Sequence, residues 1–530
     1  MDGKQPHPFS QILALHETRR RQKPFLSDLP RVHINEATRA VAELYERTRN
    51  TLEYHDADIV RRMAIERTLK RLLAFGMLGG DVTHAENLLK ELIRGGYFPN
   101  DEVPEERTYD IARITRRFLI ANAVGIPKEI GSLFLSLTAI AIEDAVVVEE
   151  REMEQRFIQF SFTVLRDRIP WNERERKDRR HTAMLYAAVW RDILYADERR
   201  TIAALVHNAV IGWEDAEQEH EVRELLPQVI NTIRASRILL RLPEFMARRR
   251  VARSFGPSFI ALRDVLRMHP DDIGEVASSP LLFEELLENT IQRRSAQLSR
   301  DLRWTALRAT LYIFLTKMLI GFSIEVPYEM FVLSSFHVPA FIVNLAIPPL
   351  IMLVMALSAP RVSQKIVAKI VDTALLLAFE EGSLEMPRRV PRRTSLRTMF
   401  YSVAAVTLTL GILWGVARAL AALNFSWLGI GVFVFFMSLV SLFAWRVRKP
   451  LRDMGLAGSR EGFFAVVAEI IAFPFLAAGR LLSTLLSGFS LFLFMVDVFI
   501  ESPLKFFLGF VEDWLVFLRE KREEFIEEQN

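Results

Sequence analysis

Two long apolar runs near the middle of the chain constrain its fold more than any other feature. The first is WTALRATLYIFLTKMLIGFSI, which begins at Trp304, and the second is VPAFIVNLAIPPLIMLVMALSA, which begins at Val338. Each is about 20 residues long, and an α-helix of that length crosses a hydrocarbon core of roughly 30 Å. The sequence therefore predicts a protein that spans a membrane.

The distribution of charge divides the chain into parts. Arg, Glu and Asp alternate with Leu, Ile and Ala before the first apolar run, and long uncharged stretches follow it. We expect a cytoplasmic all-α domain over 1–255 and a helical connector over 256–303. A transmembrane domain over 304–500 and an amphipathic acidic tail over 501–530 should complete the chain.

The first part of the chain carries the apolar spacing of amphipathic helices and almost no strand alternation. Pro and Gly residues mark the expected breaks, among them Gly256-Pro257. No fixed repeat period is present, so the fold class is all-α: a soluble helical bundle or array followed by a polytopic α-helical membrane domain. The predicted helices are 35–55, 56–77, 84–93, 105–122, 128–148, 149–167, 182–196, 200–213 and 219–242.

The helix over 56–77 shows how this pattern assigns faces. Ile65 and Leu69 fall on the side expected to face the core, and Arg62 and Glu66 fall on the side expected to face water. Further along, Ser279 and Pro280 form a typical helix start. The helix that begins there is expected to run without a break into the first apolar run, which would couple the two parts of the chain.

Four spans satisfy the distribution of Lys and Arg in the membrane part: 304–323, 338–357, 399–420 and 427–445. The two short loops within these pairs carry no Lys or Arg, whereas the flanking segments are rich in both. The positive-inside rule then puts the N-terminal domain in the cytoplasm, which the lack of a signal-peptide pattern also favours. The stretch 463–500 is either a hairpin of two spans or an in-plane helix and one span.

Several polar or helix-breaking residues lie within or near these spans and form a candidate transport or polar membrane site. Ionisable groups at membrane depth are functional candidates, and proline breaks line substrate sites in transporters. The alternatives are packing kinks for the prolines, snorkelling to the interface for Lys317, and a helix–helix seam for the Glu469/Arg480 face. The candidate residues are Lys317, Asn344, Pro348, Pro349, Glu469 and Arg480.

The segment between the second and third spans is basic and suits an anionic inner leaflet. Val362, Ile366, Ile370 and Ala374 are expected on one face of an interfacial helix here, although a solvated loop that only fixes topology is an equal alternative. The candidate lipid contacts are Lys365, Lys369, Arg388, Arg389, Arg392 and Arg393. In the third span, Gly411 and Gly415 form a GxxxG pattern that favours helix packing and is compatible with a homo-oligomer.

Other classes of function lack sequence support. The net charge is only +3, and the arginine-rich run from Arg234 to Arg253 has no interleaved aromatic residues, so we expect a solvated or lipid-facing surface and no nucleic acid. The chain has no Cys, no HExxH, no GxxxxGK[ST] and no GxSxG. We therefore expect no enzyme, no cofactor and no metal site.

These observations favour a protein that works by interaction. The expected function is that of a membrane-anchored scaffold, adaptor or assembly factor, which acts through its cytoplasmic helical domain on protein partners. The alternative is a transporter or channel with a path through 304–500.

Overall fold

The computed structural model is all-α in the part of the chain that it describes, where no β-strand occurs and Arg31 and Pro104 form one isolated bridge. Most of the helix expected over 35–55, the basic residues 388–393, Glu469 and the whole tail lie outside the described residues. The described residues are 9, 12–14, 30–36, 39, 57–269, 279–334, 337–357, 364–380, 382–386, 395–447 and 472–481.

The helices of the N-terminal region lie close to the positions that the apolar periodicity predicts. Three of the helix starts are capped by an Asp side chain that accepts a hydrogen bond from a backbone N–H, at Asp81, Asp178 and Asp197. The helices are α1 (Ala57–Ala74), α2 (Val82–Arg94), α3 (Arg107–Val124), α4 (Lys128–Val146), α5 (Val148–Arg168), α6 (Glu173–Lys177), α7 (Arg179–Asp192), α8 (Glu198–Ala209), α9 (Glu219–Leu239) and α10 (Pro243–Met268).

The described chain divides into two compact units. The first contains residues 57–254 together with 382–386, and the second contains 255–380 and the described residues after 395. In the first unit, one hydrophobic core joins six of the helices. Each contributes a side chain that is 0% exposed: Ile65, Leu89, Ile111, Ala139, Ile202 and Ile233.

Two charged residues of α1 contradict the expected assignment of faces. Arg62 and Glu66 are both 5% exposed. Arg62 donates two hydrogen bonds of 2.7 Å to the carboxylate of Asp197, and Arg199 donates to both carboxylate oxygens of Glu66. Because α8 supplies partners for both charges, the polar face of α1 is an internal contact and the prediction of a solvated face is wrong.

Pro257 also behaves differently from the expectation. It lies inside α10, a helix of 26 residues, and does not end it. Ala252 and Phe259 on either side of the proline are both 0% exposed. Burial of neighbouring apolar side chains offsets the local cost of a missing helix hydrogen bond.

The second unit confirms the continuous helix that was predicted from Ser279 onwards. α11 (Pro280–Ile320) is 41 residues long and joins the connector to the first apolar run. It is followed by two π-helical segments, Gly321–Glu325 and Tyr328–Val332, where the end of the first span and the loop after it were expected. The remaining helices are α12 (Val338–Leu357), α13 (Gln364–Phe379), α14 (Ser395–Ala422), α15 (Trp427–Val447) and α16 (Ala472–Leu481).

Three helical segments are long and apolar enough to cross a membrane: Leu281–Val332, Val403–Ala422 and Trp427–Trp445. A fourth is added if α4 and α5, which meet at an angle of 107°, are taken as one broken span. Val338–Leu353, in the second predicted span, is a shorter apolar helical segment. The described chain thus has three to four candidate spans where four to six were expected, and its orientation stays a prediction.

Candidate functional site

Lys317 and Asn344, both predicted from sequence as polar membrane residues, meet inside the second unit. Lys317 lies in the last turn of α11 and Asn344 in the second turn of α12, and these helices pack against each other. The Lys317 Nζ donates a hydrogen bond of 2.8 Å to the Asn344 Oδ1, and each residue is 1% exposed. The suggestion that Lys317 snorkels to the interface is therefore wrong.

Two glutamates extend this contact into a network. The Asn344 Nδ2 donates to Glu325 Oε1 at 2.5 Å, and it lies 3.5 Å from the carbonyl oxygen of Gly429. The Ser426 Oγ donates a hydrogen bond of 2.7 Å to Glu329 Oε1 and accepts one of 3.1 Å from the backbone N–H of Gly429. We call Lys317, Glu325, Glu329, Asn344, Ser426 and Gly429 the polar network.

Gly429 joins the network through its backbone, and a side chain at this position would crowd the neighbouring groups. A Cβ atom added to Gly429 would lie 2.8 Å from Glu325 Oε1 and 3.2 Å from the Ser426 Oγ. Such a separation is below ordinary van der Waals contact, so a side chain at this position would displace the carboxylate. The glycine thereby lets α15 approach Asn344 and Glu325.

The two glutamates lie on π-helical backbone. Glu325 ends the first π segment and Glu329 is the second residue of the other, with Pro327 between them. A π-helix bonds each residue to one five positions away, and such segments are frequent at functional sites. Both carboxylates are buried, with 3% of Glu325 and 5% of Glu329 exposed.

The sequence analysis missed Glu325, Glu329, Ser426 and Gly429. Glu325, Glu329 and Ser426 fall in segments that were interpreted as short loops outside the spans, and Gly429 lies in the predicted fourth span without having been singled out. A signal was present: IEVPYEMFV places two acids four residues apart in an otherwise apolar stretch with no Lys or Arg. That spacing puts two carboxylates on one helix face. The flanking Ile, Val and Phe favour burial, so the two carboxylates would be buried with them.

The network lies at one end of its helices and borders an apolar cluster. The Lys317 Nζ lies 5.5 Å and 5.1 Å from the ring centroids of Phe433 and Phe436, a cation–π geometry. Phe436 belongs to a hydrophobic cluster that continues toward the other end of the helices. Its buried members are Ala306, Ile313, Met352, Phe436, Val440 and Ala444.

The charges of the network do not balance. It contains one ammonium group, at Lys317, and two carboxylates, at Glu325 and Glu329. Glu329 receives one hydrogen bond, from the Ser426 hydroxyl, within the described part of the chain. Burying an uncompensated charge is costly, so the surplus carboxylate is the least compensated charge of the network.

The other described members of the predicted membrane site, Pro348, Pro349 and Arg480, do not join this network. Pro348 and Pro349 lie inside α12, which continues through them. Arg480 packs its guanidinium group 4.7 Å from the ring centroid of Trp445. Glu469 lies outside the described residues, so the proposed face of Glu469 and Arg480 stays a prediction.

The basic segment is described only in part. Lys365 and Lys369 are exposed on α13, whereas Arg388, Arg389, Arg392 and Arg393 lie outside the described residues. The apolar face of α13 packs on protein: Phe379 makes an edge-on contact with Phe283 of α11, and the Ser258 Oγ donates to the Ile370 carbonyl. Ile370 and Ala374, which were expected to face lipid, are therefore internal.

The arginine-rich run of the first unit is largely paired with carboxylates. Arg249 and Arg253 both hydrogen-bond to Asp192, which is 4% exposed, and Arg234 donates to Glu129. Arg248 donates to Glu175 and to the Nδ1 of His181. Arg248 and Arg249 serve internal contacts, which corrects the expectation of a solvated or lipid-facing run for these two, whereas Arg234 and Arg253, with side chains 50% and 68% exposed, lie on the surface.

Comparison of the chain with protein-family models, curated proteins and solved structures finds no match. In the described residues, no group of three or more His, Asp or Glu side chains is arranged to hold a metal ion. The polar network and the two units are therefore the features that bear on function.

Proposed function

We propose that this chain is a multi-pass membrane protein that works by interaction, as a membrane-anchored scaffold, adaptor or assembly factor. One observation carries the proposal: the buried polar groups of the membrane helices pair with one another and then abut an apolar cluster. This arrangement suits helices that must be held together.

The physical argument rests on how helices associate in lipid. Lipid tails are as apolar as Leu, so association depends on close packing and on hydrogen bonds between helices. Asn344 of α12 bonds to Lys317 of α11 and to Glu325, and it approaches Gly429 of α15. One side chain thus links three helical elements and fixes their relative positions.

The proposal includes membrane lipids as partners. Exposed Lys365 and Lys369, together with the arginines of the segment 388–393, would contact an anionic inner leaflet. The first unit, on the cytoplasmic side in this proposal, would contact protein partners.

A second candidate function, the transport of protons or small cations, is favoured by the surplus carboxylate of the network. Glu329 lies beside Ser426, which immediately precedes α15, so the negative charge is near the end of the bundle. A cation attracted to these carboxylates would approach Glu325, which Asn344 separates from the positive charge of Lys317.

A flux assay separates the two candidates. The full chain is reconstituted in liposomes, and proton, Na⁺ and K⁺ fluxes are followed for the wild type, Glu329→Gln and Lys317→Met. Ile342→Ala, at an exposed position of α12, is the matched control. If the protein works by interaction, all four proteoliposome samples should show the same flux as empty liposomes. A flux in the wild type that either network variant abolishes would instead support transport and overturn the interaction proposal.

The interaction itself is tested by crosslinking in native membranes followed by mass spectrometry. We expect crosslinks from exposed residues of the first unit to one recurring protein partner. Crosslinks only within the chain or between its copies would contradict a scaffold or adaptor role.

A further inference from the structure

A cavity of about 480 Å³ lies within the first unit, far in sequence from the polar network. Side chains of α3, α4, α5, α7, α8 and α9 line it. Small-molecule sites usually have volumes of roughly 300–1,000 Å³ and occur between helices of bundles. The cavity is therefore large enough for an organic ligand.

One wall of the cavity is aromatic. Trp190 and Tyr186 come from α7, Phe134 comes from α4, and Trp213 follows α8. Trp190 is 5% exposed, and the Phe134 ring contacts the Trp213 ring edge-on at a centroid distance of 6.2 Å. Such a surface favours a flat apolar body over a chain of hydroxyl groups.

Arginine side chains give the cavity a positively charged part. Four of them line the cavity, at Arg117, Arg151, Arg156 and Arg200, against two carboxylates, at Asp144 and Glu214. His207, another lining residue, donates a hydrogen bond of 2.6 Å to Glu214, and this contact raises the pKa of the imidazole.

Part of this positive charge already has partners. Asp144 accepts a hydrogen bond of 2.5 Å from Arg200 and lies 2.7 Å from the Arg151 Nε. Arg151 also pairs with Glu154, and the Arg200 Nη1 is 3.8 Å from Glu143.

Hydrogen-bonding capacity nevertheless remains. The Arg200 Nη1 is a buried atom without a hydrogen-bond acceptor in satisfactory geometry. Arg156 is exposed and lines the cavity. A buried guanidinium N–H without an acceptor costs free energy, and an anionic group is the acceptor that suits it best.

We propose that this cavity binds a small amphipathic anion, with its carboxylate, phosphate or sulfonate group near Arg151, Arg156 and Arg200 and its aromatic body against Tyr186, Trp190 and Trp213. The site gives the helical unit a ligand of its own, independent of the membrane network and of the function proposed above.

The test uses ligands that share one ring system and differ in charge. The full chain in lipid nanodiscs is titrated calorimetrically with 1-naphthyl phosphate, 1-naphthalenesulfonate and the cation 1-naphthylmethylammonium, and the heats of empty nanodiscs are subtracted. We expect saturable binding of one anion per chain and no saturable binding of the cation.

Variants locate the site. Ala203→Phe fills the cavity from α8 and should abolish binding, and Arg156→Gln should weaken it about tenfold through loss of one charged hydrogen bond. Arg223→Gln, at a side chain that is 61% exposed and paired only along its own helix with Glu219, is the matched control and should bind as the wild type does.

Circular dichroism melts identify any variant that fails to fold. If Ala203→Phe does not fold, the binding measured for Arg156→Gln decides whether the cavity is the binding site. Absence of saturable binding for both anions overturns the proposal. Equal binding of the cation, or anion binding that neither Ala203→Phe nor Arg156→Gln changes, overturns it as well.

Discussion

Asn344 shows how much of this molecule depends on single polar side chains. It is 1% exposed and provides the hydrogen-bonding partner for both the Lys317 ammonium and the Glu325 carboxylate. The sequence identified Lys317 and Asn344 as polar residues in apolar helices, since such residues are rare there. Their 27-residue separation gave no sign that they touch.

Replacement of Asn344 by Ala should destabilise the second unit. Lys317 and Glu325 would each lose a hydrogen bond while remaining buried, which costs about 1–3 kcal/mol per unsatisfied group. Thermal unfolding of the full chain in nanodiscs, compared with Ile342→Ala, measures the loss. Equal melting temperatures for the two variants would contradict a stabilising role for the network.

His181 makes the stability of the first unit depend on pH. It is 3% exposed, accepts a hydrogen bond from the Arg248 Nε at 2.9 Å, and contacts the Trp171 ring. Burial, and then the nearby Arg248 charge, lower its pKa to about 4, against the opposing effect of Glu175 and Asp178. The native imidazole therefore stays neutral where the unfolded one, with its ordinary pKa of 6.5, takes up a proton.

The sign of the effect follows from that difference. Above about pH 6.5 neither state binds the proton, and between about pH 6.5 and 4 only the unfolded state does, so the free energy of unfolding falls as the pH falls. In His181→Asn the amide oxygen replaces the Nδ1 acceptor and does not titrate. Denaturant unfolding at a series of pH values should show a shallower decline for this variant; parallel curves would refute the assignment.

At the scale of elements, close approach between helices decides where substitutions are tolerated. The Cβ of a residue replacing Gly479 of α16 would lie 2.6 Å from the Ser438 carbonyl oxygen of α15. Gly411 of α14, one of the GxxxG pair, has no atom within 4 Å of its Cβ position. Within the described residues, no helix packs closely against Gly411 and Gly415, although the pattern predicted such packing. Formation of a homo-oligomer through these glycines stays a prediction.

Gly479→Ala should therefore destabilise the second unit, because the backbone of α15 cannot move aside as a flexible side chain would. Overpacking of this kind costs about 1–3 kcal/mol. Gly411→Ala is the matched control and should leave the melting temperature of the full chain in nanodiscs unchanged or slightly higher. A larger loss for Gly411→Ala than for Gly479→Ala would contradict this packing.

At the scale of the whole molecule, α11 connects the two kinds of sequence. Its 41 residues begin in a charged segment and end at Lys317 and the π-helical segments. The first unit buries a separate core and contains its own cavity. The chain thus combines a helical unit that contains a cavity with a unit whose helices are candidate membrane spans.

The absence of Cys allows a direct test of the predicted orientation. Single cysteines at Leu333 and Leu423, both at exposed positions between apolar helices, should react with an impermeant thiol reagent in intact cells. A cysteine at Glu173, exposed in the first unit, should react only after permeabilisation. Reaction of the Glu173 cysteine alone in intact cells would show the reverse orientation. Reaction of all three cysteines in intact cells would exclude the predicted orientation.

The sequence by itself determined the helices and their division into two regions. Apolar periodicity and the length of uncharged runs are local properties, so α1 to α5, α7 to α9 and the unbroken α11 could be predicted from them, whereas the short α6 was not predicted. The tertiary structure decided which charges meet. Arg62 and Glu66 find their charged partners at the start of α8, Lys317 finds its partner on α12, and Gly429 leaves room for a carboxylate. These contacts depend on the positions of residues distant in sequence, so local patterns do not reveal them. The same holds for Pro257 and the π-helical segments, where burial and packing outweigh the local preference of the backbone.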